Sequence, residues 1–156
     1  MKVLYVSFDE VPSFKGASTH ILSGLRAVKK NHCVCLVTLG SKQLPNQGNF
    51  VHRPLLISEK NYLRRALLFS QQISEIISKN NFDLIHFRGP FEGIPIVASG
   101  IKTIYEVNAF PSIELQYHYR NLPEHVLERI RELERYCLKT ATKIICPSER
   151  LKSCIL

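Results

Sequence analysis

The sequence predicts an α/β fold, a parallel sheet covered by helices on both faces. Three observations predict it. Short, β-branched apolar runs alternate along the chain with longer segments whose apolar residues repeat at helical spacing. Those runs are apolar at nearly every position, as strands buried between two helical layers are. The length, 156 residues with 45% hydrophobic content, suits one domain with its own core and excludes wholesale disorder. Right-handed crossovers are expected to join the strands.

The elements follow in order. Lys2–Phe8 (KVLYVSF) reads as the first buried strand. A loop holding Pro12 and Gly16 leads to a helix that Ser18 or Thr19 can cap and that runs to about Lys30. Its apolar stripe is Ile21, Leu22, Leu25 and Val28. Cys33–Leu39 is a second strand, ended by Gly40, and residues 41–50 form a turn-rich loop. Val51–Ile57 contains Pro54 and is therefore a short or edge strand. A long helix is expected from Glu59 to about Lys79, with Leu63, Leu67, Ile73, Ile76 and Ile77 on its apolar face.

Asp83–Phe87 is the third core strand, and Gly89-Pro90 reads as a turn. Ile94–Ser99 is expected to be a helix starting near Pro95, because proline suits a first turn. Lys102–Val107 is another strand. The stretch from Asn108 to Leu122 carries Pro111 and receives no element. Pro123 opens a helix to about Thr140, with Val126, Ile130, Leu133 and Cys137 at i, i+4, i+7 and i+11. Thr142–Cys146 is the last strand. Pro147-Ser148-Glu149 starts a helix barely two turns from Leu156.

Lysine and arginine number 21 against 13 acidic residues, a formal charge of +8. No apolar run approaches the roughly 18 residues that cross a bilayer, and the first residues do not form a signal peptide. The expectation is a soluble cytoplasmic protein. Five cysteines, an odd count without a second close pair, read as reduced structural thiols rather than disulfides or a zinc site.

Ligands of open parallel sheets bind outside the carboxyl ends of the strands, where the strand order reverses. After the first strand come Asp9-Glu10 and then Lys15-Gly16-Ala17-Ser18-Thr19-His20. Gly16 lets backbone approach a ligand, and the helix behind it offers free N–H groups that favour a diphosphate. The plain alternative is a turn glycine before a capped helix. There is no GxGxxG and no GxxxxGK[ST], so an ordinary dinucleotide enzyme or a P-loop NTPase is not expected.

His86, Arg88 and Gly89 follow the third core strand, Glu106 and Asn108 the next, and Ser148-Glu149 the last. These residues converge on one rim. His86 inside an apolar strand is a satisfied core histidine on the plain reading and a catalytic candidate on the sharper one. Glu106 is costly to bury unpaired, so it either reaches water or pairs with a base such as Arg88.

Taken together, the segments MKVLYVSFDEVPSFKGASTHILSGL, CVCLVTLG, VHRP, FDLIHFRGP, IYEVNAFPSIELQY and LKTATKIICPSERLK resemble family 4 glycosyltransferases. The Gly16 loop and the ATKIICPSE segment are the most telling. The resemblance implies the GT-B fold, two Rossmann-like domains facing across a cleft, of which residues 1–156 would be the single N-terminal, acceptor-side domain. The implied reaction transfers a sugar from a nucleotide-sugar donor to an acceptor hydroxyl with retention of configuration. The acceptor would be a sugar or a lipid-linked molecule, and no cofactor or metal is implied beyond the donor itself. Lys15, Gly16, Ala17 and Ser18 would face the donor diphosphate. His20, Arg88, Gly89, Ser148 and Glu149 would line the acceptor side, with His86, Glu106 and Asn108 as catalytic candidates.

Two departures stand out. Many relatives carry a histidine just after the strand that here ends Glu106-Val107-Asn108, so Asn108 is a positional substitute only. The C-terminal, nucleotide-gripping domain with its Glu-x7-Glu signature has no counterpart here, so the chain alone is expected to be inactive. It reads as a truncated half, one part of a split enzyme with a separate partner chain, or the product of a broken gene. The frame downstream of codon 156 separates these. A non-catalytic binding module is the other class, but a receiver domain is disfavoured because Arg88-Gly89 stands where its phosphoacceptor aspartate would be.

The basic residues of 123–140 alternate with Glu124, Glu128, Glu132 and Glu134, as an ion-paired, solvated face would. The sharper alternative is weak contact with anionic lipid at the inner face of the membrane. No nucleic-acid partner is expected, since no RNP, helix-turn-helix or zinc pattern appears.

Overall fold

A computed structural model describes residues 1–155. Leu156, the end of the expected last helix, lies outside the described residues. The elements are β1 (Lys2–Glu10), α1 (Gly16–Val28), β2 (Cys33–Leu39), β3 (Phe50–Leu55), α2 (Tyr62–Ser78) and β4 (Leu84–Phe87). They continue as α3 (Pro90–Ala98), β5 (Thr103–Glu106), α4 (Pro111–His118), α5 (Glu124–Thr140), β6 (Lys143–Ile145) and α6 (Glu149–Ser153). The strands form one sheet in the order β3-β2-β1-β4-β5-β6, and every pairing is parallel. The order reverses between β1 and β4.

Alternation along β1 divides the core. Leu4 and Val6 face Phe69 and Ile73 of α2, Ile96 of α3 and Cys137 of α5. Val3 and Tyr5 face Ile21 and Leu25 of α1. Helices therefore cover both faces, as the sequence predicts. No helix joins β2 to β3; the loop between them is pinned by buried His52. The Leu44 N–H donates to His52 Nδ1 at 3.0 Å, His52 Nε2 meets Thr38 Oγ1 at 2.9 Å, and Gln43 and Asn46 hold the His52 main chain. Accepting at Nδ1 makes the ring a neutral Nε2–H tautomer that donates to Thr38.

The structure departs from the sequence reading in several places. Helix α1 starts earlier than Ser18, with Lys15 as its N-cap; Ser18 is buried, and its hydroxyl accepts from the Ser13 N–H at 3.0 Å. Helix α3 begins at Pro90, with Pro95 inside it, because Pro90 occupies the first turn. Helix α4 carries no apolar repeat, yet Glu134 of α5 accepts from the Ser112 N–H at 2.8 Å and its hydroxyl at 2.7 Å. The buried face of α2 is Ala66, Phe69 and Ile73, with Leu67 exposed. In α5 it is Leu127, Ile130, Glu134 and Cys137. The charged face of α5 is ion-paired as expected, Arg129 with Glu132 at 2.7 Å and Arg131 with Glu124 at 2.8 Å. No helix among the described residues is long and apolar enough to cross a membrane.

Candidate functional site

The carboxylate of Glu106, at the end of β5, accepts from five side chains. Tyr5 Oη and His86 Nε2 reach Oε2, both at 2.9 Å. His20 Nε2, Arg88 Nε and Asn108 Nδ2 reach Oε1 at 3.0, 3.1 and 3.0 Å. The parallel register explains the gathering. Tyr5 lies beside His86 across β1 and β4, and Glu106 ends the strand next to them. Their side chains share the α1 face of the sheet, from which His20 reaches down.

Burial alone would raise the Glu106 carboxyl. The hydrogen bonds from His86 and Asn108, the Arg88 charge and the Tyr5 hydroxyl overcome it and hold the group far below the usual carboxylate range. An ionised carboxylate only accepts, so His20 and His86 each present Nε2–H to it. Tyr5 is pushed well above the ordinary phenol value by burial and by the Glu106 charge, so it stays a donor. Arg88 is charge-compensated by two carboxylates: its Nε donates to Glu106 and its Nη1 to Asp9 Oδ2 at 2.9 Å, with 7% of the side chain exposed. The Ser7 hydroxyl donates to the same Asp9 oxygen at 2.7 Å. Glu106 thus pairs with Arg88, one of the two outcomes open to it in the sequence.

Beside this hub, at the switch point, lies a cleft of about 550 Å³. Its walls come from the carboxyl ends of β1 to β4, from Lys15 and Gly40, and from Tyr62 and Arg65 of α2. Phe8, Tyr62 and Phe91 pack edge-on or tilted, with centroids 5.5 to 6.5 Å apart. Glu92 lies fully buried against the cleft, and neither carboxyl oxygen has a hydrogen-bond partner among the described residues. Burial raises this carboxyl to about 7, helped by the Asp9 charge; the nearby N–H groups of Glu92, Gly89 and Phe8, none of them in hydrogen-bond geometry with it, offset the rise only in part. Any Cβ at Gly89 would stand 2.8 Å from Glu92 Oε2, so glycine there makes room for the carboxyl.

The structure brings His20, His86, Arg88, Glu106 and Asn108 together. Lys15 and Gly89 line the adjoining cleft. Gly16 opens α1, whose first turn has neither a side-chain cap nor an acidic residue, and a Cβ there would meet nothing within 4 Å. Ala17 follows it in the same turn, while Ser18 turns its hydroxyl inward. Ser148 and Glu149 are spent locally: the Ser148 hydroxyl accepts from the Leu151 N–H at 3.2 Å, and Glu149 pairs with Lys152 at 3.2 Å. No group of three or more His, Cys, Asp or Glu among the described residues is placed to hold a metal ion.

Sequence reasoning missed Tyr5 and the burial of Glu92. Pairing LYV of β1 against IHF of β4 would have set Tyr5 beside His86. Nothing local marks Glu92, because the third residue of a helix is ordinarily exposed.

The family model for Glycosyltransferase Family 4 matches residues 14–156. Among solved structures, the chain superposes on sucrose-phosphate synthase from Thermosynechococcus elongatus with a TM-score of 0.72 at 12% identity, covering 97% of this chain and 43% of that one. It superposes on UDP-GlcNAc 2-epimerase from Methanocaldococcus jannaschii with a TM-score of 0.56 at 14% identity, covering 99% and 42%. The chain thus spans less than half the length of these two proteins, and the likeness at such identities is one of fold. No curated protein sequence matches.

Proposed function

The chain belongs to glycosyltransferase family 4, and on that premise we propose that it is the acceptor-side half of an enzyme moving a sugar, with retention, from a nucleotide-sugar to an acceptor hydroxyl. The observation that carries the reading is the switch-point cleft beside a hub in which one carboxylate fixes His20, His86 and Arg88.

In such a transfer the acceptor oxygen bonds to the anomeric carbon as the bond to the diphosphate breaks. The leaving group then needs N–H donors or positive charge, and the acceptor needs fixed orientation. Gly16 and Ala17, at an uncapped helix end, would serve the diphosphate together with Lys15. Ser18 contributes through the loop shape rather than its hydroxyl. Arg88, held by two carboxylates, orients the rim instead of meeting a phosphate. His20 and His86 carry Nε2–H toward Glu106 and keep Nδ1 for other partners. Asn108, a donor to Glu106, completes the acceptor side, and Ser148 and Glu149 would border it from the first turn of α6, which their side chains serve.

Grip on the base and ribose falls to a second domain or partner chain, while the diphosphate also meets the Gly16 turn of this one. The purified chain is therefore expected neither to hydrolyse nor to transfer from nucleotide-sugars. Titration of the 15N-labelled chain with UDP should shift the Gly16 and Ala17 amides; shifts confined to other regions, or none, would sink the reading. We place the protein in the cytoplasm, with at most weak contact between its basic surface and anionic lipid at the inner face of the membrane. Salt-sensitive binding to anionic vesicles is expected, and equal binding to neutral ones would refute that placement.

A further inference from the structure

The cleft holds two arginines in opposite states. Arg88 is paired with two carboxylates, which compensate its charge. Arg65 of α2 has no carboxylate within 4 Å among the described residues, and its one hydrogen bond runs from Nη1 to the Glu59 carbonyl at 3.3 Å. Its Nε is buried without a partner. The guanidinium carbon lies 5.9 Å from the Phe8 ring centroid and 6.0 Å from that of Tyr62, a geometry that steadies a cation without neutralising it. A buried N–H with no acceptor is uncommon, because it loses its water without gaining a replacement. A planar fork of donors beside a cleft matches the oxygens of a phosphoryl group, and the two rings, set edge-on to each other, add apolar surface for a sugar.

We propose that the α2 wall of the cleft is a phosphoryl subsite, with Arg65 as its fork and Phe8 and Tyr62 as its platform, and that the acceptor is a phosphorylated sugar. This rests on the reading of the chain as the acceptor-side half. Lys15, exposed at the same cleft, adds charge at the other end, on the α1 side where the donor diphosphate is expected.

The test is titration of the 15N-labelled chain with glucose 6-phosphate, glucose and UDP. Glucose 6-phosphate should shift the Arg65 Nε–H and the Tyr62 amide saturably, and glucose should bind at least about tenfold more weakly, as loss of a charge-assisted hydrogen bond implies. Arg65→Gln should lose that preference, and Arg65→Lys should keep part of it. Arg64→Gln, on an exposed neighbour in the same helix, should change nothing. The wild-type Arg65 Nε–H signal decides the matter even if Arg65→Gln fails to fold. Equal binding of glucose and glucose 6-phosphate, or unaltered binding by Arg65→Gln, overturns the proposal. So does UDP displacing glucose 6-phosphate through Arg65, which would assign the subsite to the donor. A UDP response at Gly16 without a glucose 6-phosphate response at Arg65 overturns this proposal alone; no UDP response at Gly16 overturns the reading beneath it.

Discussion

Replacing Glu92 by glutamine should change how stability depends on pH more than it changes stability at any one pH. The carboxyl is fully buried, unpartnered and raised from an ordinary value near 4.5 to about 7. The folded chain therefore holds this proton more tightly than the unfolded chain does. The stability this contributes is complete below about pH 4.5 and is lost as pH rises through about 7. At about 1.4 kcal/mol per pH unit the whole gap is worth about 3 kcal/mol, most of which falls between pH 5 and pH 8. Glutamine has no proton to lose. Urea unfolding of both proteins at the two pH values should show Glu92→Gln gaining roughly 2 to 3 kcal/mol on wild type from pH 5 to pH 8. Other titrations are common to both proteins and cancel in the comparison. A constant difference would mean that Glu92 ionises as it would in water. A shift of opposite sign would mean that the ionised form has a partner in the cleft.

His52 runs the other way. Burial lowers it to about 4, so the folded state keeps it neutral while the unfolded chain takes up a proton below about 6.5. Stability should fall by up to about 3 kcal/mol as pH drops from 6.5 to 4. The protection factor of the Leu44 amide, which donates to its Nδ1, should fall in step in hydrogen exchange; an unchanged protection factor would refute the tautomer. Glu106→Gln should cost about 3 kcal/mol in urea unfolding, because Arg88 loses one of two charge partners and an amide N–H must face donors. Gly93→Ala should destabilise by about 2 kcal/mol or more, since its Cβ would stand 2.6 Å from Phe87 Cε2 and 2.7 Å from Cys137 Sγ. Adding Cys137→Ala should recover part of that loss, and a neutral Gly93→Ala would refute the packing argument.

The strand and helix alternation was legible because burial between two layers writes itself into the residue pattern directly. The edge position of β3 was legible from Pro54 alone. Helix α4 was not, since its capping partner, Glu134, comes from another helix. The start of α3 was misread because two prolines competed for the first turn. At the rim, the rule about strand ends was enough to find His86, Arg88, Glu106 and Asn108. Tyr5 was hidden between Leu4 and Val6, where its hydroxyl gains meaning only from the register with β4. The states of the two arginines could not be read from residue type, because charge compensation is a property of three-dimensional neighbours.

The two margins of the sheet are unlike. On β3, Pro54 has no N–H to give and Arg53 carries charge, so a further strand is discouraged there. On β6, Ile144 and Ile145 are exposed and only one side is paired among the described residues. Growth of a sheet by repeated addition needs a competent margin at both ends of each copy. The described residues present one, so strand-to-strand association of these residues through β6 would meet its own like across a twofold axis and close at two copies instead of extending into a fibre.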